Sequence, residues 1–328
     1  MTYLVLGGAG YIGSHMVRFL RERGERVTVF DSLVTGHGFL CGDAVLVQVD
    51  VCDVAALQAA FRQHGPFAAV FHFGARSLVG ESVREPELYR RVNGGGAQNL
   101  LAAMQATGHR RLVFSSTAAV YGLPQTPLLA ESHPLQPVNP YGETKLAVEQ
   151  LLRGHALTHG IDSVSLRYFN AAGAHPDGSI GELHDPETHL IPNVLRAAFT
   201  GTPLQLFGDD YDTPDGTCIR DYVHVNDLAD AHWRALAWLD RHPGAHVFNL
   251  GTGRGHSVRE VIAAVERVTG RPVPVTVAAR RPGDPPALVA DPSRAARDLG
   301  WQPQWQDLDA LVASALPFFR ARVLPSAP

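Results

Sequence analysis

The chain has 328 residues, 45% hydrophobic and 18% charged, the balance of a soluble globular protein with one large or two ordinary domains. Its formal net charge of −4 leaves no basic field to neutralise a phosphate backbone, which argues against a nucleic-acid partner but allows a local cationic pocket for a small anion. Three cysteines (Cys41, Cys52 and Cys218) form no disulfide framework, and no metal-like cluster stands out, so a reducing compartment without a metal is expected. No apolar run reaches the roughly 18 residues of a membrane span. Met1 leads almost at once into a glycine loop without a leader-like segment, so a cytoplasmic protein off the membrane is expected.

Short apolar runs at 3–6, 26–30, 45–49, 68–73, 111–114 and 163–168 predict strands, and amphipathic stretches at 11–23, 54–64, 87–106 and 141–159 predict helices between them. Unbroken Val, Leu and Phe character suits strands covered on both faces. The alternation predicts an α/β fold, a doubly wound parallel sheet. Beyond residue 173 proline and glycine become frequent and the elements shorten. The expected division is a sheet domain over 1–172 and a smaller α/β domain over 173–328. Segments at 225–239 and 247–250 look regular enough to return to the first. The tail, 324–328, is expected to fray.

Gly7, Gly10 and Gly13 lie between the first strand and the first helix, in the Rossmann position. Gly7 permits the tight turn, Gly10 lets backbone N–H groups approach a pyrophosphate, and Gly13 lets the helix pack on the sheet. The helix N-terminus, at Tyr11 and Ile12, adds partial positive charge. The second strand runs into Asp31, which can accept both adenosine ribose hydroxyls while repelling a 2′-phosphate. No arginine stands beside it, so NAD is expected over NADP. Asp50 and Val51, after the third strand, are either adenine contacts or an ordinary turn.

Asn139-Pro140-Tyr141 reads as N-cap, first helical residue and start of a helix, which puts Tyr141 and Lys145 on one face. A phenol near pKa 10 is a poor base at neutral pH. A lysine ammonium, the helix N-terminus and a nicotinamide cation would all favour the phenolate, so a lowered pKa is expected for Tyr141. Thr117, at the end of the preceding strand, can hydrogen-bond the reacting oxygen, while Ser115 and Ser116 read as strand-end caps.

With these pieces the chain resembles the extended short-chain dehydrogenase/reductase family, and within it the UDP-galactose (UDP-glucose) 4-epimerases. The most telling runs are Leu78-Val79-Gly80-Glu81-Ser82, Tyr168-Phe169-Asn170-Ala171-Ala172-Gly173-Ala174, Asp215-Gly216-Thr217-Cys218-Ile219-Arg220-Asp221-Tyr222 and Arg280-Arg281-Pro282-Gly283-Asp284. The resemblance implies reversible C4 inversion of a UDP-sugar through a 4-keto sugar, with Tyr141 as acid and base, Thr117 in the relay and Lys145 on the nicotinamide ribose. It adds Phe73, Asn93 and Tyr168 to the cofactor contacts. For the substrate it implies Asn170, His189, Leu190, Gln205, Leu206, Phe207, Arg220, Arg281 and Asp284, besides Thr117. It also implies a homodimer paired through the helices at 87–106 and 141–159. Three positions depart from relatives: Leu6, where many carry threonine, Ser77, where some carry lysine and Arg76 is a possible substitute, and His189, where some carry asparagine. Ala118 and Ala119 stand where sugar-nucleotide dehydratases carry acids, which argues against dehydration. A 4-epimerase for an N-acetylhexosamine, glucuronate or pentose UDP-sugar, and a non-catalytic NAD-binding protein, are the other readings.

Overall fold

The computed structural model describes residues 1–281 and 283–324, so the tail expectation at 325–328, and Pro282 within its run, lie outside the described residues. Seven strands form one parallel sheet: β1 (Thr2–Leu6), β2 (Arg26–Asp31), β3 (Val45–Gln48), β4 (Val70–His72), β5 (Arg111–Thr117), β6 (Asp162–Tyr168) and β7 (Ala245–Leu250). Their spatial order is β7-β6-β5-β4-β1-β2-β3. The chain order reverses between β1 and β4, and at such a switch point the carboxyl ends of the strands leave a crevice.

Period two along the strands supplies both faces of the sheet. Tyr3, Val5, Val27 and Val29 pack with Met16, Val17 and Leu20 of the helix Tyr11–Glu22 and with Leu228, Ala231 and Leu236 of the helix Val225–Leu239. Leu4, Leu6 and Phe30 point the other way, onto helices Val54–His64, Gly96–Ala106 and Pro140–His159. The last of these starts as its sequence dictates: the Asn139 side chain accepts from Gly142 N at 2.9 Å and Pro140 holds the first helical position. Gly160 ends it in the left-handed region, at φ +61°.

The helix expected at 87–106 is interrupted. Pro86–Tyr89 and Gly96–Ala106 are α-helical, but Arg90–Gly95 is a π-turn. The wider turn directs Asn93 inward, where it accepts from Arg76 N at 2.8 Å and donates to Thr144 Oγ1 at 3.2 Å. The second half of the chain builds a smaller core around helices Leu190–Thr200, Val258–Thr269 and Leu308–Arg322. Strand Asn170–Ala172 and strand Tyr222–His224 pair in parallel next to the crevice. Among the described residues no helix is long and apolar enough to cross a membrane.

Candidate functional site

The glycine loop is held by close approach. Gly7 has φ +79°, and a Cβ there would lie 2.4 Å from Gly74 N. A Cβ on Gly13 would lie 2.1 Å from Gly7 O, whereas one on Gly10 would find nothing nearer than 3.5 Å. The loop is thus fixed by Gly7 and Gly13 and open at Gly10. The helix beginning at Tyr11 has no side-chain cap, so its first N–H groups face the opening. Asp31 closes the cradle at the end of β2, with Oδ2 accepting from Ala9 N at 3.0 Å and Oδ1 from Leu33 N at 2.9 Å. Lone pairs remain on both oxygens for ribose hydroxyls. Gly36, which the sequence did not single out, keeps this room: a Cβ there would lie 3.0 Å from Asp31 Oδ1. Glycine cradle, uncapped helix end and acid together fit a dinucleotide with a free 2′-hydroxyl.

Asp50 accepts from Cys52 N at 2.8 Å as a turn acid does, and Val51 is buried where Gly96 lets the helix pass close. Phe73 lies half-buried on His232, ring centroids 4.6 Å apart.

At the far side of the crevice, Thr117, Tyr141 and Lys145 are brought together from the end of β5 and the first turns of Pro140–His159. All three are buried. Lys145 Nζ donates to Ser115 O at 2.8 Å and lies 5.8 Å from the centre of the Tyr141 ring. Burial pushes the Tyr141 phenol up to about 12, with the Thr117 hydroxyl pulling the other way. Burial also lowers Lys145 to about 7, with the Glu149 carboxylate opposing. The expected lowering of Tyr141 is therefore not what the protein's own groups produce. Desolvation of the phenolate sets the direction, and the Lys145 amine is itself desolvated and committed to the Ser115 carbonyl.

Sequence reasoning missed the supports behind this pair. Tyr89 is fully buried, its ring edge-on to Tyr141 at 6.4 Å and its hydroxyl donating to Leu78 O at 2.7 Å. The run Leu78–Ser82 thereby reaches the Tyr141 ring through one side chain. Tyr168 exchanges a hydrogen bond with the Ser115 hydroxyl. Behind Lys145, Glu149 takes two hydrogen bonds from Arg167, at 2.9 and 2.6 Å, and one from Ser116 at 2.5 Å. A polar residue inside an apolar strand such as Arg167 was the only signal for that network.

On the other wall, Asn170 donates to Asp221 O at 3.1 Å. Arg220 pairs with Asp284 and donates to Pro285 O at 3.0 Å, and the Arg281 guanidinium stacks 4.0 Å over the Phe207 ring. On strand Leu204–Phe207, Gln205 is exposed while the Leu206 side chain is buried and its backbone pairs in register with Val277. Leu190 begins the helix that His189 precedes. The His189 imidazole is held between Glu182 and Glu187 at 2.6 and 2.8 Å, and although burial opposes it these carboxylates raise its pKa to about 10. Its contacts are with acids rather than with the strand expected to bind the nucleotide. Arg76 pairs with Glu81 at 3.5 Å, and Ser77 is exposed. The sequence suggested no metal-like cluster, yet the fold brings candidate ligand atoms of Glu182, His184, Glu187 and His189 within 4.8 Å of one another. Nearness in space, more than spacing in sequence, makes the group visible.

A model of the NAD dependent epimerase/dehydratase family matches residues 3–251. A UDP-glucose 4-epimerase of Halalkalibacterium halodurans is 48% identical over 316 residues, 96% of this chain and 94% of the relative. The crystal structure of UDP-glucose 4-epimerase from Brucella ovis in complex with NAD superposes with a TM-score of 0.93 at 48% identity, covering 97% of this chain and 98% of that one. The Bifidobacterium longum enzyme of the same name, in complex with NAD+ and UDP, gives 0.93 at 37% identity, with 98% and 99% covered.

Proposed function

The chain belongs to the NAD dependent epimerase/dehydratase family, and from that premise we propose that it interconverts UDP-glucose and UDP-galactose by inverting the sugar at C4. The observation that carries this reading is a buried phenol, Tyr141, beside the Thr117 hydroxyl in a crevice that also holds the glycine cradle. NAD held by Gly7, Gly10, Gly13 and Asp31 would supply a hydride acceptor and a positive ring charge. Tyr141 removes the proton from the sugar 4-hydroxyl, and Thr117 steadies the same oxygen and shares the proton. Lys145, fixed by the Ser115 carbonyl, holds the nicotinamide ribose and adds a cation near the phenol. Loss of the C4 hydride to NAD would leave a 4-keto sugar held by its nucleotide; after the hexose turns over, that hydride would come back to the opposite face of C4 while Tyr141 returns the proton to the 4-oxygen.

For the nucleotide, Arg220 and Arg281 supply permanently charged forks for a diphosphate, and Asp284 accepts from a ribose hydroxyl. Asn170, Leu190 and the strand at Gln205–Phe207 complete that wall. The unit that binds NAD runs over 1–172 and takes back the segment 225–250, a reading supported by the pairing of β7 with β6. Ala118 and Ala119 cannot move protons, which favours epimerisation over dehydration. Leu288, beside Arg220 in the small sheet, is mid-sized, and an N-acetylhexosamine is the second substrate to try. We further read the protein as a cytoplasmic homodimer; the three free cysteines fit a reducing compartment.

The test is incubation with UDP-galactose. UDP-glucose should form without accumulation of NADH. Steady NADH release would make it a dehydrogenase, and loss of the 6-hydroxyl a dehydratase.

A further inference from the structure

Segment 173–189 carries four residues in the order Glu182, His184, Glu187, His189, and no step of the reaction above uses the first three. One ligand atom from each lies within 4.8 Å of the other three. His189 Nδ1 stands 2.6 Å from Glu182 Oε1 and 2.8 Å from Glu187 Oε1, and His184 Nδ1 stands 3.3 Å from the same Glu182 oxygen. The Glu182 and Glu187 side chains are only 8% and 3% exposed. Glu182 Oε1 and His184 Nδ1 are both buried with no hydrogen bond of adequate geometry.

Glu187 Oε1 is satisfied by the backbone N–H groups of Thr188 and His189, at 2.7 and 2.8 Å, which leaves Glu182 Oε1 and His184 Nδ1 as the unpartnered pair. The His189 ring lies between the two buried carboxylates, yet its one Nδ1–H cannot be aimed well at both oxygens, and a divalent cation in its place would offset their repulsion and engage Glu182 and His184 as well. We propose that Glu182, His184, Glu187 and His189 form a binding site for a zinc-class divalent cation that clasps segment 173–189 over the cofactor loop.

Two imidazoles and two carboxylates suit zinc and its first-row neighbours, whereas magnesium and calcium take all-oxygen sets. Tetrahedral zinc with bonds of about 2.0–2.1 Å needs ligand atoms about 3.3 Å apart, within the range of separations seen here. Four protein ligands make a closed, structural site. Its position gives it a role. Tyr11 Oη donates to Gly173 O at 2.6 Å, joining one end of the segment to the start of the first helix. The His37 ring nitrogen lies 3.1 Å from Leu183 O, and His37 N donates to Ala9 O at 2.8 Å. Both ties land on the loops that carry Gly10 and Asp31. A cation that stiffened the segment would slow release of the dinucleotide.

The experiment uses the whole protein, stripped with a chelator and then titrated with zinc by calorimetry and with cobalt(II) by visible absorption. One zinc per chain, the intense bands of four-coordinate cobalt and a raised melting temperature are expected. Glu182→Gln and His184→Ala should each weaken zinc by at least about tenfold and abolish the cobalt bands while keeping the far-ultraviolet dichroism of the fold. His159→Ala, at the surface stack of His155 and His159, should change neither. Unchanged affinity in both variants, or no stoichiometric zinc in the wild type, overturns the site and leaves an ion-paired cluster. Metal binding is read without turnover, so this outcome and the failure of the epimerase reading are separate.

Discussion

Lys145 gives its Nζ hydrogen bond to the carbonyl of Ser115, 2.8 Å away, in the strand that ends at Thr117. The lysine is thus a strut between helix and strand as well as a cation beside Tyr141. Lys145→Met should lower kcat by about 10²-fold or more, as expected for loss of a group supporting acid–base chemistry, and should speed NAD release. Steady-state kinetics and cofactor retention on gel filtration check both. Unchanged values would confine Lys145 to a structural role.

The Tyr141 phenol offers a pH test. In the cofactor-free protein burial raises it from 10.0 to about 12. Because the folded value exceeds the unfolded one, its stabilising contribution is complete below pH 10 and is lost as pH rises toward 12. The ultraviolet titration difference between wild type and Tyr141→Phe should show a midpoint near that value, and loading with NAD should move it down. A midpoint that NAD leaves in place would contradict the assigned electrostatics.

Glu149 and Arg167 form a buried pair, 1% and 2% exposed, directly behind Lys145. Removing one partner leaves a buried charge without compensation, so Glu149→Leu should destabilise the protein by about 3–5 kcal/mol in urea. Glu149→Leu with Arg167→Met should recover much of that loss. If the single variant unfolds at the wild-type midpoint, the pair is not holding this face of the site.

Gly10 and Gly13 should behave differently although three residues apart. Gly13→Ala forces a Cβ against Gly7 O, at 2.1 Å, and should disturb both the loop and the fold. Gly10→Ala meets nothing nearer than 3.5 Å, so it should fold normally and bind NAD more weakly. Fluorescence titration with NAD, alongside thermal melting, separates the two.

Much of this was legible in the residues. Apolar runs located six strands of the main sheet, the segment at 247–250 was expected to return to it, and Asn139-Pro140 located the start of the helix that carries Tyr141, because local propensity and burial agree there. The π-turn at Arg90–Gly95 was hidden because Asn93 is drawn inward by Arg76 and Thr144, partners distant in sequence. Tyr89 and Arg167 were hidden for the same reason: their importance lies in what they touch. The raised value of the Tyr141 phenol without a cofactor was not legible, because a sequence shows the neighbouring cation but not the loss of water. The Glu and His residues at 182–189 were in view, yet only the folded segment brings their ligand atoms within 4.8 Å of one another.

The most direct measurement is single-turnover conversion of UDP-galactose by Tyr141→Phe with NAD still bound. The account predicts a folded, NAD-loaded protein whose rate falls by at least about 10²-fold. Conversion at close to the wild-type rate would remove the phenol from the chemistry and contradict the account.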